Sequence, residues 1–72
     1  MPATDQLLRE LENALTSNPH VANERLTLKR HQGRVVVRGR VGSYYQKQMA
    51  QEALLRIEGV EELENQLEVH WA

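Results

Sequence analysis

The chain is expected to fold as an α+β two-layer sandwich in the order αββαβ, with two helices packed on one face of a three-stranded mixed sheet. Three observations carry that expectation. The run Gly33, Val35, Val37, Gly39 and Val41, with arginines between, reads as a strand buried on one side. A stretch of helical periodicity stands on either side of the first two strands. A last alternating run, Leu63, Asn65, Leu67, Val69 and Trp71, supplies a third strand after a stop at Gly59-Val60.

The first helix shows itself in Leu7, Leu8, Leu11, Ala14 and Leu15, which fall on one stripe of a 3.6-residue period. Thr4 is its expected N-cap, with Asp5 placed well for the positive end of the helix dipole. Pro19 disfavours helical geometry at Asn18 and lacks the N–H to continue the ladder, so the helix is expected to stop near Ser17. Val21, alone in the connection as an apolar residue, is expected to tuck beneath it. From Arg25 the period changes to two. Leu26 and Leu28 then share a face opposite Thr27 and Lys29.

His31-Gln32-Gly33 is the expected turn, with Gly33 free to take a positive φ. In the second strand Val35, Val37 and Val41 point inward and Arg34, Arg38 and Arg40 outward, with Val36 among the latter. Gly39 lies on the inward side, where a missing side chain is expected to admit a close helix or a bulge. Ser43 and Gln46 have capping-box spacing at the start of the second helix. Its buried stripe is Ala50, Ala53, Leu54 and Ile57, with Met49 beside them, and the two alanines let its axis approach the sheet. Gly59 fits a left-handed position just past its end, with Val60 folding back on Leu55. The valine-rich second strand is expected at the centre, with the third parallel to it. The rival order places the third strand beside the first.

Composition limits the core and the chemistry. The sequence has 72 residues, no cysteine and no phenylalanine, so neither a disulfide nor a thiolate metal site can supplement an aliphatic core. A formal net charge of −1 singles out no class of partner. No apolar run approaches the ~20 residues of a membrane span. No secretory signal is legible in the first residues. A cytoplasmic location is expected if Met1 is the natural start, and a periplasmic or envelope-associated one if a leader has been removed.

The ordered pattern resembles the BON domain (bacterial OsmY and nodulation) over residues 5–69. The shared features are the amphipathic first helix, the Asn18-Pro19 break, and Leu26 and Leu28. Then come the Gly33, Val35, Val37, Gly39 and Val41 spacing, the alanine-bearing helix, Gly59-Val60, and Leu63, Asn65, Leu67 and Val69. The resemblance implies one domain over residues 1–72 and a non-catalytic binding role. Such domains are commonly associated with phospholipid or the cell envelope. The chain bears one copy where many relatives carry tandem copies.

Charge is segregated along the chain. Residues 25–47 hold seven basic side chains and no acidic one, whereas from Gln48 onward there are six glutamates and only Arg56. Arg25, Lys29, Arg34, Arg38 and Arg40 are expected on the exposed sheet face, joined there by Glu62, Glu64 and Glu68. One reading is cross-strand pairing that keeps the open face wet, worth about 0.2–1 kcal/mol per pair. The other is an anion-binding surface for phospholipid headgroups, at ~1 kcal/mol per basic residue near an anionic membrane. Tyr44, Tyr45 and Lys47 would extend that surface at the start of the second helix. A protein partner, docking on the helical face or a strand edge, is the alternative to lipid.

Other candidates carry less. Gly39-Arg40-Val41-Gly42 matches the GXXG of phosphate-clamping KH loops literally, but these residues belong to a strand pattern, so no nucleic acid is expected. His20, His31 and His70 are scattered and read as surface residues, so no metal or cofactor is expected. Asn65 points inward among leucines, and its amide is expected to fasten a neighbouring loop or strand end. No nucleophile–base–orienter set can be assembled, so no enzymatic activity is expected. The sequence leaves the oligomeric state open.

Overall fold

The structure, a computed structural model, describes residues 6–70. The order is α1 (Gln6–Thr16), β1 (Leu26–His31), β2 (Arg34–Val41), α2 (Tyr44–Leu55) and β3 (Glu62–Val69). The three strands lie in the order β1-β2-β3. β1 runs antiparallel to β2, and β3 runs parallel to it. The valine-rich strand is therefore central, and the rival order is excluded.

The core lies between the sheet and the two helices. Val35, Val37 and Val41 of β2 and Leu67 of β3 are buried against Leu11 and Leu15 of α1 and Ala50 and Leu54 of α2. Val21 closes the end of this cluster from beneath the α1–β1 connection, as its apolar character predicts. The expected cap at Thr4 and Asp5 and the expected strand residue Trp71 lie outside the described residues. α1 stops at Thr16, whose Oγ1 donates to the Asn13 carbonyl at 3.2 Å. Across Pro19, Asn18 Oδ1 accepts from the His20 N–H at 2.9 Å and turns the chain back toward the sheet.

Ser43 caps α2, its Oγ accepting from the Gln46 N–H at 3.1 Å. Gln46 completes the box one residue early, because its Oε1 accepts from the Gly42 N–H at 2.6 Å. The same amide donates through Nε2 to the His20 carbonyl at 2.8 Å. One side chain thus fixes the start of α2 and ties it to the connection after α1.

Three local expectations are corrected. The left-handed residue of the hairpin is Gln32, at φ 57°, and not Gly33. Gly33 lies beside the flexible Glu61 side chain, and its carbonyl accepts from the Glu61 and Glu62 N–H groups at 2.8 and 3.1 Å. Gly39 does take positive φ, at 147°, but neither a helix nor a bulge occupies the space beside it. An added Cβ would meet the Arg25 carbonyl and Leu26 Cδ2, both at 2.8 Å. α2 ends at Leu55, so Ile57 packs on the core from beyond the helix, and Leu55 is 51% exposed with no Val60 folded over it. Gly59, at φ 101°, closes a further turn in which the Val60 N–H donates to the Ile57 carbonyl at 3.4 Å.

Gly39→Ala combines a left-handed backbone with a clash against the Arg25 backbone carbonyl, beside a further contact with the Leu26 side chain. It is expected to destabilise by about 2–4 kcal/mol, read as a lower urea midpoint at unchanged slope. Gln32→Gly relaxes a strained φ and is expected to stabilise by about 0.5–1 kcal/mol, read as a higher melting temperature.

Candidate anion-binding face of the sheet

Both helices pack on one side of the sheet, so the alternate residues of each strand form an uncovered second face. Register fixes its rows. Thr27 stands opposite Arg38, Lys29 opposite Val36, and His31 opposite Arg34. Across the parallel pair, Arg34 stands beside Glu62, Val36 beside Glu64, Arg38 beside Gln66, and Arg40 beside Glu68. Alternation carries Arg25 onto the same side just before β1. The result is a basic column on β2, flanked by Lys29 and Arg25, next to an acidic column on β3. Val36 lies half-buried in the middle.

The columns neutralise one another less than their register allows. Arg34 reaches diagonally to Glu64, and Gln66 donates to the same carboxylate. The hydrogen bond and charge of Glu64, with Glu62 adding at longer range, raise the Arg34 guanidinium above its ordinary pKa. A raised cation pKa stabilises the fold below the unfolded value and loses that contribution only as pH climbs through the folded one. For an arginine this window is strongly alkaline. Glu68 turns toward His70, with Oε1 3.2 Å from Nε2. Among the described residues, Arg25, Lys29, Arg38 and Arg40 have no carboxylate within salt-bridge reach.

The eight residues marked by sequence divide into three groups. Lys29 and Arg34 flank a shallow depression of about 360 Å³ at the hairpin, which Arg30, His31 and Val36 complete. Arg25, Arg38 and Arg40 lie farther along the open face, toward the other end of the strands. Tyr44, Tyr45 and Lys47 stand on α2, in the helical layer. Tyr44 and Tyr45 are 65% and 54% exposed, and Tyr45 meets His20 edge-on at 4.9 Å between ring centroids. The structure does not bring these three to the basic column.

Arg30 and His31 are the hairpin residues that sequence reasoning left out. Arg30 has the parity of Leu26 and Leu28, yet it is exposed and its Nη1 donates to the Gln32 carbonyl at 2.6 Å. The legible signal was the end of apolar alternation at Leu28, which marks where helical cover stops.

Asn65 faces the helices, and its amide fastens helix α2 rather than the loop or strand end expected of it. Its Nδ2 donates to the Lys47 carbonyl at 3.1 Å and lies 3.3 Å from Gln51 Oε1, while its Oδ1 accepts from the Leu67 N–H at 3.1 Å. It locks α2 onto β3 and satisfies a backbone group on the edge strand. Among the described residues, no three metal-ligating side chains cluster, and no helix is long and apolar enough to cross a membrane.

The chain is thus a two-layer αββαβ domain whose uncovered sheet face bears charged columns. The sequence profile of the BON domain matches residues 3–70, essentially the whole chain. The chain belongs to the BON family, a family of non-catalytic binding domains. No curated protein matches the chain.

Asn65→Ala removes both links between β3 and α2. It is expected to destabilise by about 1–2 kcal/mol in urea unfolding, with backbone exchange at the Leu67 amide accelerated.

Proposed function

We propose that the chain is a binding module that associates weakly with anionic phospholipid headgroups through the basic column of its open sheet face. The supporting observation is that Lys29, Arg38 and Arg40 project from one face with no carboxylate in salt-bridge reach among the described residues. An unpaired surface cation keeps its hydration and its field, and near an anionic membrane each contributes about 1 kcal/mol. The glutamates of β3 lie within a Debye length of ~8–10 Å and subtract from that attraction. The association is therefore weak, reversible and steeply dependent on salt. Family membership supports a binding role of this general kind.

A protein partner is the second reading, and one feature favours it. Between α1 and β1 runs a groove of about 330 Å³ whose floor includes Leu15, Val21, Leu26 and Leu28, beside the free edge of β1. A segment laid along that edge would gain backbone hydrogen bonds and an apolar floor together.

Co-sedimentation separates the two. The chain is expected to pellet with phosphatidylglycerol-containing vesicles at low salt and not with neutral ones. Arg38→Glu with Arg40→Glu is expected to abolish pelleting while leaving the circular dichroism spectrum unchanged. Failure of the unmodified chain to pellet at low ionic strength would reject the lipid reading in favour of a protein partner.

A further inference from the structure

We propose that the open face of the sheet is self-complementary and pairs, face to face, with the same face of a second copy of this chain. The argument starts from register. Along β2 the outward residues are Arg34, Val36, Arg38 and Arg40, and level with them along β3 are Glu62, Glu64, Gln66 and Glu68. Neighbouring strands lie about 4.8 Å apart, and sheets stack about 10 Å apart. A twofold axis parallel to the strands, placed between β2 and β3, keeps every row level and exchanges the two columns. Arg40 then faces Glu68 of the second copy, Arg34 faces its Glu62, and Arg38 faces its Gln66.

Each of these contacts occurs twice, as the symmetry of an isologous interface requires. Val36 faces Glu64 of the second copy, the two Val36 side chains lie diagonally across the axis, and Lys29 stands at the rim within reach of that same Glu64. A twofold axis across the strands would instead place the β2 columns over each other, arginine on arginine. Charge therefore selects one axis.

The groups that this pairing needs are available. Arg38 and Arg40 have no carboxylate in salt-bridge reach among the described residues, and the Glu62 side chain has no ion pair there either. Among the described residues Arg34 is closed on Glu64, and Glu68 lies 3.2 Å from the exposed His70 ring, a contact it must leave to reach Arg40 of the second copy. A net charge of −1 sets no long-range barrier to association. The face is two to three strands wide, so the interface falls at the small, wet end of the size range, and the dimer is a weak one.

Self-association goes beyond the lipid reading and competes with it, because the dimer covers the basic column. Sedimentation velocity on the full chain, without lipid and at about 20 mM salt, tests it. The expected result is a monomer–dimer equilibrium that about 1 M salt, with a screening length of about 3 Å, shifts at least tenfold toward monomer. Arg40→Glu and Glu68→Lys are each expected to weaken the dimer about tenfold, since each creates two like-charge contacts. An equimolar mixture of the two variants is expected to restore association, because in the mixed dimer every contact is again between opposite charges. Arg40→Gln and Glu68→Gln serve as milder variants should a charge reversal perturb folding.

A chain that stays monomeric at low salt and near-millimolar concentration overturns the proposal. So does a dimer that neither variant weakens, or a folded mixture that fails to associate. The lipid reading fails separately: Glu68→Lys is expected to raise pelleting with anionic vesicles while lowering self-association, whereas Arg40→Glu lowers both.

Discussion

β2 is hydrogen-bonded on both sides, with α2 against it and β3 and with α1 packed on β1 and α2, and the remainder of the fold is arranged to keep its inner face dry. Val35, Val37 and Val41 are the residues on which α1, α2 and the flanking strands converge. With no phenylalanine and no disulfide, burial of these small aliphatic side chains supplies most of the driving force, at about 1.5–3 kcal/mol for each large one. One glycine meets a need of this packing: Gly39 lets the start of β1 close on the central strand. Two amides then fasten the layers: Gln46 joins α2 to the connection after α1, and Asn65 joins α2 to β3.

The charged face follows from the same constraint. Two helices cover one side of a three-stranded sheet, and the second side must stay wet in a single copy. Strands with unpaired edges invite further pairing, and outward arginines, lysine and glutamates on all three strands discourage it. Charge is sorted by strand rather than mixed because β1 and β2 are contiguous in sequence while β3 arrives after a helix. A parallel register then lays the acidic strand directly beside the basic one. The depression at the hairpin arises where β1 outruns the apolar cover, although Val35 of β2, opposite Arg30, is still buried. There the alternation loses its apolar half after Leu28, and Arg30 takes a position that a leucine would otherwise hold.

Most of this was legible in the sequence wherever a residue's chemistry admits one use. The alternating valines, the cap at Ser43 and the break at Pro19 each have a single inexpensive explanation, and the structure follows it. Legibility failed where a residue has two. A glycine in a turn signals either a left-handed backbone or a close neighbour. At Gly33 the neighbour, Glu61, is remote in sequence, so the positive φ fell to Gln32 instead. Gly59 was read as ending α2, but the helix stops at Leu55 and a further turn intervenes. The marked side chains fared similarly. Strand parity gathers Lys29, Arg34, Arg38 and Arg40 on one face, but a run of basic residues says nothing of the layer change at Ser43. That change carries Tyr44, Tyr45 and Lys47 into the helical layer.

Small size couples this domain's stability to whatever its open face meets. A chain of this length buries only about 60% of its unfolded surface, so its margin is set by a few contacts. A partner that binds the folded sheet and not the unfolded chain adds RT ln(1 + [L]/Kd), whether the partner is a membrane or another copy. Weak binding thus contributes measurably only when the partner is concentrated. An anionic membrane concentrates cations at its surface, and crowding on that surface concentrates copies of the chain. The arginines of the face are not equally open to such a partner: Arg34 is already closed on Glu64, whereas Arg38 and Arg40 have no carboxylate in salt-bridge reach among the described residues. A partner that binds cations would therefore gain most from Arg38 and Arg40 and least from Arg34, whose own glutamate it must displace.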